Sequence, residues 1–212
     1  MKSGIRLIGL GVLAILALLI APLIGMEWIP LSTVFDGSGD SVNSSIFWRN
    51  RVPRVMTAFL AGSALAESGM VFQAMFRNVL ATPFTLGVSS GASLGAALSV
   101  SFGVTFSIAG VSGTTLMAFT GALLSVLLVY GLTRMREGFS TATMLLSGVA
   151  VSFFFSSVIL FLQYSADLYN SFRMLRWVMG GLGLVGMDSF FSILPFVVTG
   201  VVLLVYSMHE LN

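Results

Sequence analysis

The chain has 212 residues, 57% of them apolar and only 8% charged, with a mean hydropathy of +1.01. A soluble domain carries about 25% charged residues, so no water-facing surface can be assembled from this composition. The net charge of +2 is too small to suggest nucleic acid, the absence of cysteine removes disulfides and thiolate chemistry, and a single histidine, His209, cannot build a multi-histidine metal site. The expectation is an all-α, polytopic bundle in a lipid bilayer, long enough for about six spans of ~20 residues, with no metal or other cofactor bound by the chain itself.

The first predicted span is 7–26. Lys2 and Arg6 precede an uncharged run from Leu7 to Met26, which has the charge order of a secretory leader, but the run is longer than an h-region and no small-residue cleavage site follows. Residues 32–50 are polar, with Asp36, Gly37, Gly39 and Asp40, and suggest a water-facing loop. Pro53 suits the first position of a helix, where its missing N–H costs nothing, so a second span is expected over 53–76, interrupted only by Glu67. No charge occurs between Arg77 and Arg134, a stretch that suits two spans, 84–103 and 113–133, joined by a turn near Gly103 to Gly113. Arg134, Arg136 and Glu137 mark the next aqueous loop, 143–163 a fifth span, and Ser165 to Asp188 an interfacial segment. A sixth span is expected over 189–208, all within one domain, 1–212.

Gly87, Gly91 and Gly95 recur every fourth residue, as do Ala58, Gly62 and Ala66, and Gly69 lies a little beyond; these are faces on which helices can approach closely. Loop charge does not orient the bundle. Of the ten Lys and Arg, Lys2, Arg6, Arg77, Arg134 and Arg136 fall on one side and Arg49, Arg51, Arg54, Arg173 and Arg176 on the other. An outer surface so rich in arginine suggests a partner outside. Arg51 and Arg54 flank Pro53, and at a helix N-terminus each would oppose the macrodipole by roughly 0.3–1 kcal/mol. Snorkelling to lipid phosphate offsets that, and so does an acidic protein gripped by its carboxylates.

The stretch Arg51-Val-Pro-Arg54, followed by Gly62-Ser-Ala-Leu-Ala-Glu-Ser-Gly69, Gln73, Arg77-Asn78, Leu80-Ala81 and Leu86-Gly-Val-Ser-Ser-Gly-Ala92, resembles the signature of the FecCD family of permeases. The resemblance continues through Phe139-Ser-Thr-Ala142, Leu145-Leu-Ser-Gly-Val-Ala150 and Trp177-Val-Met-Gly-Gly181, nearly the whole chain. It implies type II importers for ferric siderophores, haem or cobalamin: ten helices per permease, a second permease copy or paralogue, two cytoplasmic ATPase subunits that use ATP and Mg, and an extracytoplasmic substrate-binding protein. It also implies a cytoplasmic N-terminus, which breaks the charge tie. By the same resemblance Arg51 and Arg54, with Arg49 beside them, dock the binding protein. Ser140, Thr141, Ala142 and Thr143 form a cytoplasmic gate, with a helix N-cap at Ser140 or Thr141 compatible with that role, and Arg173, Met174 and Trp177 lie at the outer mouth. Among the family's substrates a ferric siderophore is the expectation.

Two positions depart from the family pattern. Glu67 stands where a small or aliphatic residue is usual, 13 residues and hence about 20 Å beyond Arg54 on a helix. There it is either a neutral or hydrogen-bonded carboxyl at a helix contact or part of a charge relay. Val79 stands where proline usually follows Arg-Asn. The chain carries no phosphate-binding G-x-x-x-x-G-K-[ST] loop, so it is not expected to be an enzyme. A serine hydrolase built near Gly87 to Gly95 lacks a base among its neighbours. Ending at His209-Glu-Leu-Asn212, the chain covers about six of the family's ten spans, and it is expected not to transport alone. A non-transporting assembly or regulatory fragment is the alternative.

Overall fold

In hydrocarbon each amide group must find its partner within the protein, and the apolar runs satisfy this as helices. The computed structural model of the chain describes residues 2–25, 29, 42–108, 110–135, 140–182 and 186–211. Its elements are α1 (Lys2–Ile20) with a 3-10 turn (Ala21–Leu23), α2 (Val42–Ile46), a π-helical turn (Phe47–Arg51), α3 (Val52–Phe76), a 3-10 turn (Pro83–Leu86), α4 (Val88–Ser101), the strands β1 (Ser107–Ile108) and β2 (Val111–Ser112), α5 (Gly113–Arg134), α6 (Thr141–Ser165), α7 (Leu168–Met179) and α8 (Met187–Leu211). Five of these segments are long and apolar enough to cross a membrane: Gly4–Leu23, Val42–Phe76, Gly113–Arg134, Thr141–Ser165 and Met187–Ser207. The protein is a helical membrane bundle.

Three features differ from the sequence expectation. Residues 42–51 are helical rather than part of a water-facing loop, because Phe47 and Ser44 are buried on one side of the segment. Pro53 consequently lies inside a continuous helical path. A proline there cannot donate and its ring crowds the carbonyl four residues back. The π turn relieves this, with the Val52 N–H reaching five residues back to the Phe47 carbonyl. The third difference is at 84–103, where the helix is limited to Val88–Ser101, 14 residues or about 21 Å. The chain before it is taken up by a capping box: the Thr85 hydroxyl accepts from the Thr82 N–H at 3.2 Å, and Gly87 turns into the left-handed region at φ 74°.

The chain divides into two compact units, Met1–Leu65 with Leu182–Met208, and Ala66–Gly181 with His209–Asn212. In the first, the 3-10 turn after α1 meets the π turn that precedes α3. In the second, α4 packs along α5 and both pack on α6. One cluster there buries Phe76, Ala81, Leu86, Val129, Met144, Val151 and Phe155; another buries Ala97, Val100, Ile159 and Met174. Close approach of α4 and α5 depends on glycine. A side chain on Gly95 would strike the Met117 carbonyl, and Gly91 and Gly121 face each other's main chain in the same way. Ser125, fully buried, donates from Oγ to the Gly87 carbonyl at 2.8 Å, which also accepts from the Gly91 N–H at 2.8 Å, and lies 3.3 Å from the carbonyl of Leu86, so it joins α5 to the start of α4.

Candidate docking and translocation site

Arg49 and Arg54 are exposed on the π turn and the first turn of α3, next to the exposed Trp48. Since the helix begins at Val42, neither sits at a helix N-terminus, and the macrodipole cost inferred from the sequence does not arise. Arg51 is half-buried and turned inward. Its Nη1 donates toward the Pro22 carbonyl at 3.4 Å and the Leu23 carbonyl at 3.3 Å, at the end of the 3-10 turn that follows α1.

At the head of α6, Ser140 is the N-cap: its Oγ accepts from the Thr143 N–H at 3.1 Å and lies 2.8 Å from the Thr143 hydroxyl. Thr141 and Thr143 are half-buried and Ala142 exposed, while Met144 is buried and anchors the first turn. Arg136, Glu137 and Phe139 lie outside the described residues. Ser140→Ala is expected to destabilise α6 by about 1 kcal/mol, the worth of a side-chain cap. Hydrogen exchange at the first amides of α6 is the check; unchanged protection there would refute the cap's contribution.

One turn further along α6, and still within the second unit, a cavity of about 330 Å3 is lined by Phe84 and Thr85 of the 3-10 turn and by Val149, Ser152, Phe153 and Ser156. The serine hydroxyls donate within the protein: Ser152 to the Gly148 carbonyl at 2.8 Å and Ser156 to the Ser152 carbonyl at 2.8 Å. Ser90 donates to the Gly87 carbonyl at 2.9 Å and lies 3.2 Å from the Ser152 hydroxyl. With their protons so used, these oxygens face the cavity as acceptors between two phenyl rings. Gly148 brings this wall close to the 3-10 turn, since a side chain there would strike the Thr85 carbonyl.

On α7, Arg173 lies over the Tyr169 ring at 5.7 Å, and its Nη1 is 3.5 Å from Asn170 Oδ1. Trp177 follows four residues later and is exposed. Met174 is not exposed with them. It is 1% exposed and packs with Ala97, Val100 and Ile159, fastening α7 to the bundle. The N-cap of α7 is Asp167, held to Asn170 by a 2.6 Å side-chain bond.

The small-residue positions divide. Gly87, Gly91 and Gly95 are packed against neighbouring main chain or side chains, whereas a Cβ at Gly62 or Gly69 would meet nothing within 4 Å among the described residues. Glu67 is half-buried on the same helix as these two open glycines. At Val79 the turn is closed without proline: Arg77 takes φ 47°, the Asn78 N–H reaches the Gln73 carbonyl at 3.2 Å, and Asn78 Oδ1 accepts from the Leu80 N–H at 3.0 Å. Gln73 Nε2 adds a bond to the Val79 carbonyl at 3.2 Å.

A model of the FecCD transport family matches residues 13–212. The chain belongs to the FecCD transport family. Among its FecCD relatives, the vitamin B12 import system permease protein BtuC of Shigella boydii serotype 18 is 36% identical over 183 residues, 86% of this chain and 54% of that protein. An uncharacterized ABC transporter permease protein, YvrB of Bacillus subtilis strain 168, is 31% identical over 178 residues, 83% of this chain and 50% of its own length. A solved metal-chelate type ABC transporter in an inward-facing conformation superposes with a TM-score of 0.75 at 30% identity, covering 97% of this chain and 61% of its own. The chain thus spans about half the length of the curated FecCD relatives it matches.

Neither the capping serine nor the buried Ser125 stands out by composition in a chain so rich in hydroxyl residues. What places Ser125 is a contact with the Gly87 carbonyl 38 residues away in the chain, which no local pattern marks.

Proposed function

We propose that the chain is the N-terminal part of the permease of an ATP-binding-cassette importer for an iron chelate, a ferric siderophore, in the cytoplasmic membrane of a prokaryote. The observation that carries this reading is the FecCD match along residues 13–212, joined by a solved relative of metal-chelate type. On this reading the N-terminus is cytoplasmic and Ser140 to Thr143 form the inner gate. Arg51 and Arg54, with Arg49 beside them, face an extracytoplasmic binding protein, and Arg173 and Trp177 flank the outer mouth. A second permease copy or paralogue completes the pathway, and two cytoplasmic ATPase subunits supply the energy from ATP and Mg; this chain supplies none. The cavity between Phe84 and Phe153, with acceptor oxygens of Ser152 and Ser156, suits passage of a bulky amphiphilic ligand, offering contact surface and few fixed charges.

A cobalamin importer is the second reading, favoured by the identity with BtuC. Vesicles carrying the whole permease that contains this chain, with its ATPase and binding protein, are expected to take up radiolabelled iron as a siderophore complex and not cobalamin. Uptake of cobalamin alone selects the second reading. Uptake of neither, with the ATPase still co-purifying, marks a non-transporting assembly fragment.

A further inference from the structure

We propose that the β1–β2 hairpin anchors the chain to the bilayer surface: its Phe106, Ile108 and Val111 face enters the boundary between lipid headgroups and acyl chains, while Ser107 and Ser112 face water. The occupant of the apolar face is lipid. The inference rests on the membrane bundle alone and does not depend on the transported substrate.

The two faces follow from the strand register. Residues directly opposite one another in an antiparallel pair project to the same side, and successive residues alternate. Ser107 is opposite Ser112 and Ile108 is opposite Val111, so the hairpin has a hydroxyl face and an apolar face. The pairing continues one residue further, where the Gly113 N–H donates to the Phe106 carbonyl at 2.8 Å. Phe106, two residues before Ile108, therefore adds its ring to the apolar side. Phe106 is 51% exposed and Ile108 61%, so the protein itself leaves most of this face uncovered. No Asp, Glu, Lys or Arg lies between Arg77 and Arg134 to hold it in water.

The hairpin is also held at the level where hydrocarbon ends. Helix α5, Gly113–Arg134, has 22 residues and spans about 33 Å, little more than a hydrocarbon core of ~30 Å. Its head at Gly113 thus lies at one edge of the core and Arg134 at the other. Phe119, Leu123 and Leu127, exposed at fourfold spacing, require lipid along that helix. The hairpin is seated directly on its first turn: a Cβ on Gly113 would lie 2.7 Å from Val104 Cγ1 and 3.0 Å from the Phe106 carbonyl oxygen. Ser112 is the N-cap of α5, its Oγ accepting from the Thr115 N–H at 3.2 Å. At the same end of α4, Met174 packs with Val100 and brings in α7, whose exposed Arg173 and Arg176 mark the aqueous side.

Backbone chemistry limits the depth. A two-stranded ribbon leaves main-chain N–H and C=O groups along its outer edges, and an open sheet edge is not tolerated within hydrocarbon. At the boundary both demands are met: water and headgroups serve the edges and the hydroxyl face, and acyl chains receive the phenyl and aliphatic groups. A soluble protein partner would find no charge on this face to grip, which favours lipid as its cover.

The test uses the absence of cysteine from these 212 residues. The whole permease that contains this chain, with any cysteine elsewhere replaced by serine, is placed in nanodiscs and given one cysteine at a time, carrying the fluorophore NBD. At Ile108→Cys the label is expected to be quenched by phosphatidylcholine bearing a doxyl group at acyl carbon 5. Quenching there by aqueous iodide should be about fivefold or more weaker than at Ser107→Cys, as a depth of ~5–10 Å into the boundary implies. Phe106→Cys should behave like Ile108→Cys, so the result stands on two positions. The contrast between neighbouring residues separates a surface anchor from a hairpin that is wholly wet or wholly buried. Equal iodide access at Ser107→Cys and Ile108→Cys would overturn the proposal. Shielding of Ile108→Cys without doxyl quenching would overturn it too, because protein would then be the cover. So would shielding that appears only when the substrate-binding protein is added.

Discussion

Replacing Arg49 and Arg54 together by glutamate is expected to weaken docking of the substrate-binding protein by at least about 100-fold at low salt. Each reversal exchanges an attraction for a repulsion, and truncating one partner of an interfacial charge pair alone costs about 2–5 kcal/mol when the pair is desolvated. Both side chains are exposed in the free chain, so the lower end of that range applies, and two such losses exceed the 2.7 kcal/mol that corresponds to about 100-fold. Lysine at either position should recover only part of the affinity, because an ammonium lacks the planar fork that grips a carboxylate at two points. Part of the loss should appear in the association rate and diminish as salt screens the charges. Binding of the cognate protein to the nanodisc-embedded chain measures this directly. Retention of affinity within about tenfold of wild type would remove these two arginines from the docking surface, since even one lost charge pair exceeds that. Arg51→Glu is not an equivalent test, because it also removes the donor facing the Pro22 and Leu23 carbonyls.

The difference among three arginines only two or three residues apart shows where the amino-acid sequence speaks and where it stops. Charge scarcity and the length of the apolar runs made the bundle legible, since burying backbone in hydrocarbon leaves few alternatives to helices. The tight seam at Gly91 and Gly95 was legible too, as small residues at fourfold spacing mark close approach. The same pattern at Gly62 marks a position with nothing against it among the described residues, so spacing reveals a capacity for contact without revealing its occupant. Pro53 was misleading because the usual rule places proline at a helix start, whereas here a π turn absorbs it within a longer helix. Arg51 could not be separated from Arg49 and Arg54 by sequence, as its acceptors lie 28 and 29 residues away in the chain. Met174 sits between exposed neighbours on a strongly amphipathic helix, and only the packing of α7 on Ala97 and Ile159 turns it inward. Local chemistry was legible; contacts between distant elements were not.

The same substitution, glycine to alanine, should have opposite effects at Gly95 and Gly62. At Gly95 the added methyl meets the Met117 carbonyl, which belongs to the main chain of α5 and cannot turn aside as a side chain would. Relief requires α4 and α5 to separate, and with them the contacts that place Ser125 under the Gly87 carbonyl at 2.8 Å. Overpacking of this kind costs about 1–3 kcal/mol, and Gly95→Leu, which cannot fit at all, should cost more than that. At Gly62 an added Cβ has no neighbour within 4 Å among the described residues, so alanine adds no clash with them and removes the flexibility of a glycine within a helix. In a water-exposed helix that gain is about 0.8–1 kcal/mol, and at Gly62 a change between zero and that value is expected. Unfolding of the detergent-solubilised chain by titrated SDS, followed through helicity, gives both values on one scale. A loss at Gly62 equal to that at Gly95 would mean that an unseen neighbour occupies the Ala58, Gly62 and Ala66 face in the folded protein. No loss at Gly95 would mean that α4 and α5 tolerate separation. The position of Ser125 would then have to be maintained by α5 alone, and the 3-10 turn that walls the Phe84 and Ser152 cavity would lose its fixed support.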